Sequence, residues 1–348
     1  MLDIKALRRE AKAAGVYDRR EGRTWLKLLF LLSVVAGLIA VQATAPFWVA
    51  ALLVPVTGWF LTGTVMIGHE GGHKALSRSN ARNNLMLHLA FPLMGGLGAQ
   101  YWKYKHNVKH HAYPNVVGED PDILLWPMAC TRQVHEASGP AKQFFQKHLQ
   151  GAAFWPLTTL LPVSMRGSSF IYLYKRIKER GMDREVAVDL LCLAGHYVGW
   201  LVIPSFFVGF GPALLFWFAT WAAVGLYLAM IFAPAHMGLP IYTGHHDPWR
   251  LQLETTRNLR LPKIISFFFI GLDYQVEHHL FPRVPHQNMP LAREVVRAWT
   301  QRHGIPHLEV SYWEGFKDVT RFMNDGWKFE PIDAVEEDAP EAQLAQAA

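Results

Sequence analysis

Residues 25–73 read WLKLLFLLSVVAGLIAVQATAPFWVAALLVPVTGWFLTGTVMIGHEGGH. Residues 25–45 are almost wholly apolar, and about 20 such residues in a helix cross a bilayer. Residues 46–68 form a second span after a connection, Gln42 to Pro46, that carries no charge. Two later segments, 186–210 and 212–235, repeat the arrangement and join at the uncharged GFGP of residues 209–212, with Asp189 near the leading end of the third span. Lysines and arginines crowd residues 1–24, residues 74–180 and the chain after residue 250, whereas the two short connections have none. The positive-inside bias therefore puts both termini and the long middle segment in the cytoplasm.

The fold class that follows is an all-α integral membrane protein: four transmembrane helices in two hairpins, with a cytoplasmic helical cap. Residues 1–24 form a cytoplasmic arm, in part an amphipathic helix. Residues 25–325 form the membrane domain, and the acidic, Ala-rich residues 326–348 form a tail expected to be disordered. Three weaker apolar stretches, 85–102, 144–165 and 264–272, are broken or too short to span. They read either as interfacial helices against the cytoplasmic leaflet or as core helices of the cap.

The net charge of +6 and pI near 9.2 fit a nucleic-acid binder or a membrane protein, and the distribution of charge selects the second. The 13% aromatic content fits interfacial belts and an apolar channel rather than base stacking, so no nucleic-acid partner is expected. Cys130 and Cys192 are isolated, which excludes a zinc ribbon and a disulfide framework.

The chain has 17 histidines, many of them clustered. HEGGH, residues 69–73, matches HExxH and puts His69 and His73 on one helix face. YWKYKHNVKHH, residues 101–111, supplies His106 and His110, again four apart, with His111 beside them. His236 stands where the fourth span ends, in IFAPAHMG. LDYQVEHHLFP, residues 272–282, supplies His278 and His279, and on a helix Gln275 faces the same way. All could converge on one cytoplasmic face. A catalytic zinc takes three protein ligands and a structural one four, so eight histidines suit a di-metal site better than a single ion. Imidazole suits iron, copper and zinc, and redox-active iron accounts for an all-nitrogen site with positions open to dioxygen. A zinc intramembrane peptidase would need Glu70 as general base on one metal-bound water and would leave two clusters unused. A metal transporter would carry its histidines inside the spans. Glu70 is instead a candidate acceptor for a ligand's ring N–H, as are Glu119, Asp120, Asp122, Asp273 and Glu277. Lys74, Arg78, Lys103, Lys105 and Lys109 lie near the clusters, facing either phosphates of a carrier-linked acyl chain or phospholipid, or anionic headgroups. His88 and His196 read as packing residues, His245 and His246 as a polar-loop pair, and His135, His148, His286, His303 and His307 as surface residues.

The set HxxxH, HxxxHH and QxxHH on four spans resembles the membrane fatty acid desaturases. The stretches GLDYQVEHHLFPRVPHQN (271–288) and HHAYPNVVGEDPDI (110–123) carry the likeness furthest, and it covers about residues 25–325. The resemblance implies a non-haem di-iron enzyme; the spans and charge bias make it a multi-pass protein, expected in a bacterial inner membrane. Such an enzyme uses dioxygen and two electrons to remove two hydrogens from an unactivated acyl chain. His69, His73, His106, His110, His111, His278 and His279 match the family's boxes, and His236 matches the extra histidine after the last span. Gln275 stands where many members have histidine. That variant is associated with front-end desaturases, though it also occurs more widely. The fused haem domain with a His-Pro-Gly-Gly signature, frequent in front-end enzymes, is not found. Electrons are therefore expected from a separate carrier, such as a ferredoxin or small cytochrome with its reductase. The substrate would be an acyl-CoA, an acyl-carrier-protein or an acyl-lipid of the membrane. Zinc could replace iron on overexpression. A related hydroxylase, acetylenase or carotenoid oxygenase would begin with the same hydrogen abstraction.

Overall fold

The protein is described here by a computed structural model that covers residues 3–244 and 246–333. Among these residues four helices are long and apolar enough to cross a membrane: Glu21–Thr44, Phe47–Gly72, Arg184–Val208 and Phe210–His236. They coincide with the four expected spans, with shifted ends. The first starts earlier because Glu21, Arg23 and Thr24 continue the helix on its polar side. The second runs on through Gly72, so His69 and Glu70 belong to the span helix itself. The third passes through a π-helical stretch at Val198–Val202 before Pro204. A proline there has no N–H to offer the carbonyl one turn back, and the ladder rearranges around it.

The second span is the centre of the membrane part. Of its apolar window 61% is buried, against 22% for the first and third spans, which marks those two as outer helices. It packs against both the first and the fourth span. At Gly58 a Cβ would come within 2.7 Å of Ala223 Cβ, so glycine is what lets the second and fourth helices approach there. Leu26, Leu29, Phe30, Phe206 and Phe207 are exposed on the outer helices, as side chains facing lipid would be.

The start of the first span and the ends of the second and fourth lie at one end of the bundle. Thr24 hydrogen-bonds Glu70, and Arg82 pairs with Glu21. The remaining helices cap that end. The amphipathic helix Ile4–Ala13 is present and buries Ile4, Leu7 and Ala11 in a cluster with Val276, Phe281, Val296 and Trp299. The arm is thus part of the cap's packing. The stretch at 85–102 divides into Asn80–His88, a π-helix Leu89–Gly95 around Pro92, and Ala99–Trp102, with Met86, Leu87 and Phe91 buried. The stretch at 144–165 divides among Pro140–His148, Gln150–Thr158 and Leu161–Arg180. The third is the short helix Lys263–Phe269. One parallel strand pair, Asn258–Arg260 with Glu309–Ser311, ties the segment after the fourth span to the C-terminal part.

The first part of the expected disordered tail, residues 326–333, is structured. Gly326–Lys328 forms a 3-10 turn, the Arg132 N–H donates to the Phe329 carbonyl, and Ile332 pairs with Tyr242. Backbone hydrogen bonds to the cap, not composition, decide the order of residues 326–333. Residues 334–348, which carry the rest of the expected tail, lie outside the described residues.

Candidate metal centre

The last turn of the second span presents His69 and His73, and Gly72 shapes the ground beside them. A Cβ on Gly72 would stand 2.1 Å from a ring carbon of Trp102. That bare position lets the indole press against the helix end. Trp102 stacks on His106, with centroids 4.7 Å apart, and meets His69 and His73 edge-on.

The second cluster rides on a π-helix, Lys103–His110. Here the expected pairing changes. In an α-helix His106 and His110 share a face, but a π-helix pairs residues five apart. The N–H of His111 donates to the His106 carbonyl at 2.9 Å, and the Nε2 atoms of these two rings face each other at 3.2 Å. His110 is turned to the other side.

Two groups result. Donor atoms of His69, His73, His106, His111 and His278 lie within 4.8 Å of one another, and so do those of His110, His236 and His279. In the first group the Nε2 atoms of His69 and His106 are 2.9 Å apart, and those of His278 and His111 3.0 Å. The groups adjoin, since His111 stacks on His279 with centroids 4.3 Å apart. Gln275 is buried against the second group, its Nε2 2.7 Å from Nε2 of His236. The structure therefore brings together all nine sequence-derived candidates.

Each ring of the second group is held by its Nδ1. That of His110 donates to the Asp120 carboxylate at 3.2 Å, that of His236 to the Thr255 carbonyl at 3.2 Å, and that of His279 to Gln252 Oε1 at 2.7 Å. These bonds fix the tautomer and leave the Nε2 lone pairs aimed at the group's centre. Burial, then neighbouring imidazoles, holds His73, His106, His111, His278 and His279 well below the usual histidine range, so they are neutral near pH 7. Burial opposes charge on His110 most strongly, but Asp120 and Asp122 together outweigh it and raise that ring.

This donor set fits metal. Nε2 atoms converge in both groups, and Nε2 of His279 and Oε1 of Gln275 are buried with no partner in the protein. Buried lone pairs without a donor are costly unless a cation takes them. The histidine groups could hold a metal ion.

Among the expected carboxylate partners, Asp120 bonds a candidate ligand, and Asp122 approaches the same His110 at 3.4 Å while also pairing with Lys105. Glu119 pairs with Lys109, Asp273 accepts from Ser266, and Glu277 holds Asn258 and His307. Glu70 accepts not from a ligand ring but from His286 Nδ1 at 2.7 Å and the Thr24 hydroxyl at 3.3 Å. His286 and His307, expected at the surface, are thus tied to buried carboxylates. The ring anchors Gln252 and Thr255 were not foreseen, since nothing in QLETT marks them. Lys105 and Lys109 are engaged by carboxylates; Lys74, Arg78 and Lys103 have none within ion-pair distance among the described residues. His196 accepts from Trp217 and bonds the Leu93 carbonyl, and His88 packs toward Asp189, in keeping with packing roles. His246 bonds the Thr243 carbonyl, and His245 lies outside the described residues.

Four apolar spans that carry buried polyhistidine groups at one end define an integral membrane protein with a candidate metal site. The family described as fatty acid desaturase matches residues 44–311, and the chain belongs to that family. It is 25% identical over 331 residues to "Delta(8)-fatty-acid desaturase 2" of Arabidopsis thaliana, covering 90% of this chain and 72% of that one. It is 27% identical over 318 residues to "sn-1 oleoyl-lipid 12-desaturase" of Picosynechococcus sp., covering 88% and 85%. With "Fatty acid desaturase 3" of Bos taurus it shares 24% over 335 residues, covering 92% and 72%. The protein is a membrane acyl desaturase, an oxidoreductase of a family that uses iron and acts on lipid acyl chains.

Proposed function

We propose that the protein is an O2-dependent di-iron desaturase that inserts a double bond into a long acyl chain. His69, His73, His106, His111 and His278 hold one iron. His110, His236 and His279 hold the other, with Gln275 as a weak ligand or one acting through water. The convergence of eight imidazoles, seven buried and His111 half-buried, into two adjoining groups is the observation that carries this reading. Bound iron supplies the redox chemistry that couples dioxygen reduction to hydrogen removal. In balance, a CH2–CH2 unit, dioxygen, two electrons and two protons become CH=CH and two waters.

The chain's own residues do the rest. Asp120, Gln252 and Thr255 orient three rings through their Nδ1 atoms. Trp102 braces His106 against the second span. Positioning sets where the double bond falls, because the C–H bonds along an acyl chain are chemically alike. Both termini and the metal groups face the cytoplasm of a bacterial inner membrane, a reading supported by the uncharged short connections. The acyl group arrives on CoA, on carrier protein or in a membrane lipid, and the electrons come from a separate carrier.

The test is lipid analysis of cells expressing the wild type or His278→Ala. A new unsaturated acyl species with the wild type alone supports the reading. A hydroxylated product, or the same lipids from both, contradicts it.

A further inference from the structure

We propose that Arg166, Ser169, Asp189 and His196 are positioning residues for the metal centre: from the helices Leu161–Arg180 and Arg184–Val208 they clamp the backbone that leads into the second histidine cluster. The proposal rests on the desaturase reading above. The clamped segment, residues 93–100, joins the π-helix Leu89–Gly95 to Ala99–Trp102 and so to His106, His110 and His111. Arg166 donates to the Gly95 carbonyl from Nη2 at 2.7 Å and from Nε at 3.2 Å. The Ser169 hydroxyl accepts from the Gly98 N–H at 2.9 Å, and the Asp189 carboxylate from the Gln100 N–H at 2.9 Å. His196 Nε2 accepts from the Trp217 indole at 3.3 Å, so the ring proton is on Nδ1, which donates to the Leu93 carbonyl at 3.2 Å.

The segment contains Gly-Gly-Leu-Gly, residues 95–98, and its glycines show how closely the side chains press on it. A Cβ on Gly96, whose φ is +67°, would stand 2.7 Å from both Arg166 Nε and His196 Nε2, and one on Gly98 would stand 2.6 Å from Ser169 Oγ. Glycines give a backbone little stiffness of its own, so these contacts fix where the next helix begins. All four side chains are buried. Apolar residues would join the helices at less cost than buried charge. Yet Arg166 has no carboxylate within ion-pair distance among the described residues, and its guanidinium carbon lies 4.1 Å from the centre of the Trp221 ring. Asp189 sits within the third span, where ionisable groups are costly and mark function. What these groups add is direction, since each bond is aimed at one backbone atom. His106 and His111 belong to the first imidazole group and His110 to the second, so a shift of this segment moves ligands of both.

The test uses the purified full-length enzyme in bilayers. Ser169→Ala and Asp189→Leu each remove one bond of the clamp, whereas Asp189→Asn keeps an oxygen for the Gln100 N–H. Val319→Ala, a core deletion in a separate cluster, is the control for stability alone. Ser169→Ala and Asp189→Leu should keep their iron and their KM for the acyl substrate and lose kcat about 10- to 100-fold, the scale of a misplaced reacting group. Asp189→Asn should turn over near the wild-type rate. Hydrogen exchange of the amides in residues 99–111 should speed up in Ser169→Ala and Asp189→Leu, and in neither Asp189→Asn nor Val319→Ala. The proposal is overturned if Ser169→Ala and Asp189→Leu only lower the unfolding temperature, as Val319→Ala does, with kcat and exchange over residues 99–111 unchanged. It is also overturned if Asp189→Asn is as impaired as Asp189→Leu. If Asp189→Leu does not fold, Ser169→Ala decides alone. A wild type that forms no unsaturated product would sink the desaturase reading, and exchange over residues 99–111 would still decide the clamp.

Discussion

His106 and His111 stand five residues apart, and their Nε2 atoms face each other at 3.2 Å because the helix between them is wound as a π-helix. The same winding sends His110, one residue earlier, to the other group. Neighbouring histidines therefore lie in different groups, and in the di-iron reading they would serve different metals. His110→Ala should reduce bound metal to about half, because it strips the group with the fewest imidazoles. His111→Ala leaves four imidazoles in its group and should lose less metal, while still abolishing activity. Metal analysis of both purified variants checks this; equal metal loss would refute the division.

Gly72 and Trp102 yield a second prediction. A methyl group at residue 72 cannot share space with the indole ring, which would stand 2.1 Å away. Gly72→Ala should move Trp102 off His106 and destabilise the fold by about 1–3 kcal/mol, the usual cost of overpacking. Thermal unfolding with and without added iron measures it. Unchanged stability and unchanged metal content would show that the indole is not bracing the site.

Gln252 reaches both groups. Its Oε1 accepts from His279 Nδ1 at 2.7 Å, and its Nε2 donates to the His111 carbonyl at 3.0 Å. Gln252→Leu should weaken metal binding about 10- to 100-fold, the scale of losing a partner that orients a ligand. Gln252→Glu keeps the acceptor and should retain more metal. Competition with a chelator ranks the three proteins, and a Leu variant as tight as the wild type would remove Gln252 from the site.

Gln275 faces His236 with Oε1 unpartnered. A neutral amide is a poorer ligand than imidazole, so Gln275→His should keep the metals and part of the activity. Gln275→Ala should cost activity more than metal, and His279→Ala should lose both. If Gln275→Ala matches the wild type in metal content and product yield, the amide has no part in the centre.

The spans and the histidine clusters were legible in the sequence because hydropathy and residue spacing are one-dimensional signals. The grouping within the centre was not. No periodicity in KYKHNVKH distinguishes π from α winding, and the choice depends on how the segment packs beneath Trp102. The buried roles of His286 and His307 depend on Glu70 and Glu277, which are 216 and 30 residues away from them. Gln252 and Thr255 act through one amide and one backbone carbonyl, which no motif announces. The order of residues 326–333 arises from backbone pairing with Tyr242 and Arg132, which an acidic composition does not reveal.

The most direct measurement is the metal content of the wild-type protein, read together with X-ray absorption at the iron edge. The account predicts two irons per chain with first shells dominated by imidazole nitrogen, and loss of one iron in His236→Ala. A single zinc bound by His69 and His73, with His110, His236 and His279 free of metal, would contradict it.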